Sequence, residues 1–360
     1  MDVSVHFSQT YAEARGKFIA AAEAADLDVE SHLHPLRGRD DETLAMDVVL
    51  AGPRDARELL LISSACHGVE GFGGSGIQVA LLHDAAWRAA AHAAGVAVLY
   101  IHGLNPYGFS WWQRTTQENV DLNRNFHDFS QPLPANPAYD EIAALLVPPT
   151  WPPSDEVNAK VARLIQERGE AALQATVSGG QYDHPQGLFF GGHNPTWSNQ
   201  TLRHVLQDLG TRCGRLAWID LHTGLGPRGH GERIFACRDD ARSLARVRAW
   251  WGEQVTSIYD GSSSSPLLSG LMWLAAYEEC PQAEYTGIAL EFGTVPVMQV
   301  IEALRADQWL ENHPEASPEQ SRRIKRQVRD TFYIDDADWK QRLVEQSVEA
   351  AHQALRGLKA

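Results

Sequence analysis

Short aliphatic, β-branched runs alternate with stretches of helical periodicity along this chain, and that alternation restricts it to an α/β fold. Residues 46–50, 59–64, 96–101, 214–221 and 286–291 read as strands, each short, apolar and bounded by turn residues. Residues 75–92 and 154–176 read as amphipathic helices, and the last stretch of the chain is charged and helical in period. The expected architecture is a mixed, mostly parallel central sheet flanked by helices. No internal repeat or low-complexity linker divides it, so residues 1–360 are expected to form one domain, with 301–360 a helical C-terminal extension packed on it. Two loops stand out. The Gly/Pro-rich residues 179–195 have the length of an active-site wall or lid. Residues 260–266, with four consecutive serines, are either a mobile loop or a plain solvated connection.

Several strands end in chemically marked residues. The run at 59–64 leads into Cys66-His67-Gly68-Val69-Glu70-Gly71, where glycines permit a tight turn that brings His67 and Glu70 to one point. Taken alone, the spacing also fits a helix start with a capping glutamate. The run at 214–221 leads into Asp220-Leu221-His222-Thr223-Gly224, a histidine at the strand edge where open α/β sheets place ligands, or a satisfied core histidine. His67, Glu70 and His222 together make a His₂Glu set, one of the combinations that hold a catalytic zinc and leave a position open for water. Cys66 is adjacent, but a neighbour on a strand points to the other face. Asn123-Arg124-Asn125 sets a forked guanidinium between two amides, suited to gripping a carboxylate or to an ordinary surface ion pair. Glu291 ends the apolar run 286–291, a costly place for a carboxylate without a role, unless Thr294 or an arginine partners it.

Charge and composition exclude some partners. The formal net charge of −15 argues against nucleic acid or an anionic membrane as the main partner. No run approaches the ~18 apolar residues of a membrane span, and the N-terminus has no basic-then-apolar secretory pattern. The four scattered cysteines read as reduced thiols, and a cytoplasmic location is expected. Of the 11 tryptophans, Trp111, Trp112 and Trp197 lie near the motifs and are candidate pocket walls, though core packing is the commoner fate.

In this order, the motifs resemble the zinc carboxypeptidase superfamily (phosphorylase/hydrolase-like fold). They are similar above all to the branch with succinylglutamate desuccinylase and aspartoacylase, and to bacterial relatives of unknown function carrying His-Gly-Val-Glu-Gly. The resemblance spans roughly residues 40–300. It implies one Zn²⁺ per chain on His67, Glu70 and His222, Glu291 as general base and acid, and Arg114 as the oxyanion partner. It also implies Asn123 and Arg124 as the grip on a substrate carboxylate, and Asp121 as the carboxylate that orients a zinc-bound histidine. Asp220, two along a strand from His222 and facing the same way, is a rival for that last role. The family's carboxypeptidases use a mobile tyrosine, for which Tyr259, Tyr277 and Tyr285 are candidates without a distinguishing motif. Residues 181–192 have no counterpart in the digestive enzymes and are expected to face substrate; His184 and His193 within them lack ligand spacing. The implied activity is zinc-dependent cleavage of an amide bond beside a free carboxylate, in a peptide or an N-acyl amino acid. The alternatives are an aspartoacylase-type deacylase or esterase, and a non-catalytic metal-binding module.

Overall fold

In the computed structural model, which describes residues 2–360, seven strands form one mixed sheet. They are β1 (Val29–Arg37), β2 (Thr43–Ala51), β3 (Glu58–Ser64), β4 (Ala97–His102), β5 (Arg215–Arg228), β6 (Gly231–Phe235) and β7 (Glu284–Gly293). Their order is β1-β2-β4-β3-β5-β7-β6. The four central strands β4, β3, β5 and β7 run parallel, and antiparallel pairs close both edges. The central strands are buried along nearly their whole length, which is why they read as continuous apolar runs rather than alternating ones. β1 is mostly exposed and polar, and β6 spans five residues. Neither carries a run long and apolar enough to stand out in sequence.

Helices cover both faces. The expected helix at 75–92 is two helices, Gly71–His83 and Ala85–Ala94. Asp84 divides them: its extended backbone ends the first, and its carboxylate accepts from the amides of Ala86 and Trp87 to begin the second. The first starts four residues early because it is buried from Gly71 through Leu82, and packing outweighs the poor helix propensity of its glycines. Likewise 154–176 is split into Asp155–Arg168 and Glu170–Ser178 by Gly169 at φ +84°.

The C-terminal helices are part of the site's walls. Val297–Glu311 packs on Pro318–Phe332, and both touch β5. Pro318–Phe332 also abuts the short turn Gly68–Glu70, and Thr223 Oγ1 donates to the Phe332 carbonyl at 2.7 Å. The long helix Ala337–Lys359, capped by Asp336, packs against Gly71–His83 and Ala241–Trp251. Among the described residues no helix is long and apolar enough to cross a membrane.

Candidate active site

Parallel strands present their C-terminal ends on one edge, and β3, β5 and β7 are neighbours there. After Ser64 the chain turns through Ala65 at φ +60° into His67, then makes a single 3₁₀ turn at Gly68–Glu70. Two backbone bonds clamp that turn: Gly68 N–H to the Arg114 carbonyl at 3.0 Å and Val69 N–H to the Gln113 carbonyl at 2.9 Å. Gly68 is obligatory, since a Cβ there would stand 2.1 Å from the carbonyl carbon of Gly108. The turn brings His67 Nδ1 to 2.8 Å from Glu70 Oε1. From β5, His222 Nδ1 reaches 3.1 Å from Glu70 Oε2. One donor atom from each of His67, Glu70 and His222 lies within 4.8 Å of the others, and all three residues are buried. Cys66 groups instead with Asp220 and His222, and burial raises its thiol pKa well above the ordinary value.

The two carboxylates that competed for one role in the sequence serve different histidines. Asp220 Oδ2 lies 2.5 Å from His222 Nε2, and Asp121 Oδ1 lies 3.3 Å from His67 Nε2. Asp220 is itself fixed: its Oδ1 accepts from Ser63 Oγ at 2.6 Å, and Ser63 Oγ accepts from Trp218 Nε1 at 2.7 Å. Asp121 accepts the Asn123 amide on Oδ1 and Arg114 Nε on Oδ2 at 2.9 Å. Arg114 also reaches Glu70 Oε1 at 3.3 Å and His67 Nε2 at 2.7 Å. A guanidinium can only donate and a carboxylate can only accept, so Arg114 and Asp121 compete for His67 Nε2.

These contacts set the charges. Burial by itself would raise the Glu70 carboxyl, but His67 and His222 outweigh it and hold the group well below the carboxylate range. Burial would likewise lower His222, yet Asp220 and Glu70 carry it well above 6.5. Asp121 is held far down against its burial by Arg114, Arg124 and His67.

Glu291 lies directly across from His222 in the β5–β7 register. Its Oε1 accepts from the Leu225 amide at 2.8 Å, and the side chain is partly open to the cleft. Burial first, and the charge of Glu70 second, push its pKa up to about 8. Asn123 lines the same cleft and accepts the Met272 amide at 2.8 Å. Arg124 is less free than an open carboxylate grip requires. Its Nε and Nη2 donate to the Ser178 carbonyl at 3.1 and 2.6 Å, and Nη1 donates to the Asn123 carbonyl at 2.7 Å. Three of its five N–H groups are thus committed to main chain.

The cleft walls depart from the sequence expectations. Trp111, Trp112 and Trp197 do not line the cleft; Trp218 and Trp273 do. Trp112 faces the guanidinium groups of Arg39 and Arg329, and Trp197 packs on His34. From residues 181–192 only Phe189 reaches the cleft, its ring 5.0 Å from the Arg114 guanidinium carbon. His184 pairs with Asp140 and His193 with the Tyr182 carbonyl, both away from the three donors. The serine-rich loop is tethered: Ser264 N–H donates to Glu232 Oε1 at 3.1 Å and Gln174 Nε2 donates to the Ser264 carbonyl at 3.2 Å. Ser265 and Pro266 line the cleft in consequence. Of the three candidate tyrosines, only Tyr285 lines it. Tyr259 instead donates to the Cys237 carbonyl, and Tyr277 accepts the Arg238 amide.

Over residues 7–346 the chain matches the family described as "Protein of unknown function (DUF2817)". It belongs to that family. This DUF2817 protein matches no curated protein. Solved structures share its fold. Bovine thrombin-activatable fibrinolysis inhibitor, in complex with tick carboxypeptidase inhibitor, aligns with a TM-score of 0.52 over 98% of both chains at 10% identity. A second structure of thrombin activatable fibrinolysis inhibitor gives 0.55 over 98% of this chain and 74% of its own, also at 10% identity. Carboxypeptidase A from Helicoverpa armigera gives 0.43 over 89% of this chain and 73% of its own, at 10% identity. The fold is carboxypeptidase-like, as the order of motifs implies.

Proposed function

We propose that this DUF2817 protein is a metal-dependent hydrolase that cleaves an amide bond next to a free carboxylate. The observation that carries the reading is the convergence of His67, Glu70 and His222, with Glu291 facing His222 across the strand pair. The donor set fits a zinc-type ion. It offers two imidazole nitrogens and one carboxylate, and behind each imidazole a carboxylate stands at the other ring nitrogen. When bound, such an ion lowers the pKa of its water to about 7 and polarises a carbonyl.

The remaining work falls to the chain's own groups. With its Nδ1 engaged as a ligand, His67 must carry its proton on Nε2, where Asp121 can accept it. That proton displaces Arg114 Nη2 from His67, and the freed guanidinium can donate to the negative charge developing on a scissile carbonyl oxygen. Glu291 has one oxygen held by the Leu225 amide, which leaves the other to take a proton from the attacking water and return it to the leaving nitrogen. Burial and the charge of Glu70 raise its pKa in the metal-free protein, and a cation bound at Glu70 would draw it back toward the carboxylate range of a general base. Asn123 and the uncommitted N–H groups of Arg124 are the carboxylate partners in the cleft.

Metal content of the wild type and of His67→Ala, together with hydrolysis of peptides with free and amidated C-termini, tests the reading. Expected are metal in the wild type alone and cleavage of the free form only. A wild type that binds no divalent metal, or that cleaves both forms equally, would sink it.

A further inference from the structure

Of residues 181–192, expected to face substrate, only Phe189 reaches the cleft. The rest of the segment lies along residues 121–125 and is bonded to them at several points. The Asp121 amide donates to the Phe190 carbonyl at 2.7 Å, and Asn125 Nδ2 donates to the Gly191 carbonyl at 2.8 Å. Between these two ties the Tyr182 hydroxyl donates to the Arg124 carbonyl at 2.7 Å. No main-chain amide among the described residues donates to that carbonyl, and Arg124 is 2% exposed. Without the phenol a buried acceptor would therefore go unpaired, which is costly.

The hydroxyl is itself oriented. His127 Nε2 stands 2.6 Å from it. A phenol has one proton, and here that proton goes to the Arg124 carbonyl, so His127 must be the donor in the second contact. Burial lowers the His127 pKa and raises the Tyr182 phenol to about 12, so near neutrality the imidazole is uncharged and the phenol keeps its proton. Two glycines permit the close approach. A Cβ at 191 would lie 2.1 Å from Tyr182 Cε1, and one at 270 would lie 2.4 Å from the Arg124 carbonyl oxygen. Packing of the Tyr182 ring on His127, at 5.2 Å between centroids, would be served equally by phenylalanine. Only the hydroxyl reaches Arg124. That residue is thus held from two sides: its guanidinium by the Ser178 and Asn123 carbonyls, its main chain by Tyr182. One N–H on each Nη stays free of the protein.

We propose that Tyr182 is a positioning residue for the substrate carboxylate: its hydroxyl, oriented by His127, fixes the Arg124 main chain so that the two free N–H groups face the cleft. A fork that must meet two carboxylate oxygens tolerates little displacement, and a bond to its own backbone removes one source of it. The inference rests on the reading of Arg124 as a carboxylate partner, and not on which bond is cut.

Calorimetric binding of isocaproate and isocaproamide to the metal-loaded protein tests it, since the two differ only in carboxylate against carboxamide. The wild type should bind the acid more tightly. Tyr182→Phe, its fold checked by thermal melting, should weaken the acid about three- to tenfold, the worth of one net hydrogen bond, and leave the amide unchanged. Arg124→Gln should remove most of the preference for the acid. Adding Tyr182→Phe to it should change nothing further, because the hydroxyl acts through Arg124. An unchanged acid affinity in Tyr182→Phe, equal losses for acid and amide, additive effects of the two substitutions, or a wild type indifferent to the carboxylate would overturn the inference. Peptide hydrolysis separates it from the hydrolase reading. The expected binding pattern without cleavage of any peptide removes the hydrolase and leaves Tyr182 its role. Cleavage with the same KM for free-acid peptides in wild type and Tyr182→Phe keeps the hydrolase and removes Tyr182. A KM raised by the factor seen in binding, with kcat kept, supports both.

Discussion

Asp220 offers the sharpest test of how the candidate metal centre is built. In Asp220→Asn the shape is kept and the charge removed. The carboxylate now lies 2.5 Å from His222 Nε2 and accepts from Ser63 at 2.6 Å, so both oxygens act as acceptors. A carboxamide can keep only one of these contacts. If its oxygen faces His222, its NH₂ faces Ser63 Oγ, which already accepts from Trp218 Nε1 and loses the partner for its own proton. Carboxylates behind metal-bound histidines are typically worth about 10- to 100-fold in metal affinity, or roughly 1.4–2.7 kcal/mol. The short contact of Asp220 puts it at the upper end of that range. Asp121, at 3.3 Å from His67 and sharing that nitrogen with Arg114, belongs at the lower end. Zinc affinity measured by competition with a fluorescent chelator should therefore fall most in Asp220→Asn and less in Asp121→Asn. Ser63→Ala should fall between the wild type and Asp220→Asn, because it loosens the carboxylate without removing it. A folded Asp220→Asn protein with wild-type zinc affinity would refute the reasoning.

Four further outcomes follow from the same site and its supports. His222 has a carboxylate at each ring nitrogen and a pKa raised above 6.5, so below that raised value a proton on Nδ1 competes with the metal. Apparent metal affinity should rise with pH by about tenfold per unit while one proton is released, which calorimetry in buffers of different ionisation enthalpy will detect; a pH-independent affinity would contradict the assignment. The same shift stabilises the metal-free protein most below pH 6.5, and that stabilisation should fade as pH climbs through the raised value. Glu291→Gln should keep its metal and lose roughly 10²- to 10⁴-fold in turnover, measured with metal content on the same sample; full activity would remove Glu291 from its role. Lys325→Met should cost about 3 kcal/mol in urea unfolding, because Asp307, already pushed up to about 6 by burial, would lose its 2.7 Å partner. Adding Asp307→Leu should recover much of that loss, and a failure to do so would mean that the cost is not an uncompensated charge.

How far the sequence could be read depends on the range of the interactions involved. The five strands foreseen as apolar runs lie in the sheet interior or next to it, where burial on both faces writes itself into every position. β1 escaped because this edge strand buries little, and β6 because it is five residues long with a charged pair inside it. The helix at 75–92 hid its break because a capping aspartate inside a long apolar pattern is a local signal that periodicity masks. The placement of His67, Glu70, His222 and Glu291 at one sheet edge followed from their positions at strand ends, since parallel neighbours must all finish on the same side.

Other features were settled between segments far apart in the chain. Ser63 is an ordinary strand serine until the β3–β5 register sets it opposite Asp220. Arg124 looked like a free fork until the segment near Gly179 closed over it and supplied the Ser178 carbonyl. Three tyrosines were equal candidates until the fold sent two hydroxyls to main-chain partners and buried the third without one. By itself the sequence determined the α/β class and the residue types that stand at the strand ends, because strand periodicity and residue type are local properties. Only the tertiary structure decided which carboxylate backs which histidine, and which side chains wall the cleft. Those contacts join residues as much as 157 positions apart in the chain, and no short-range pattern carries them.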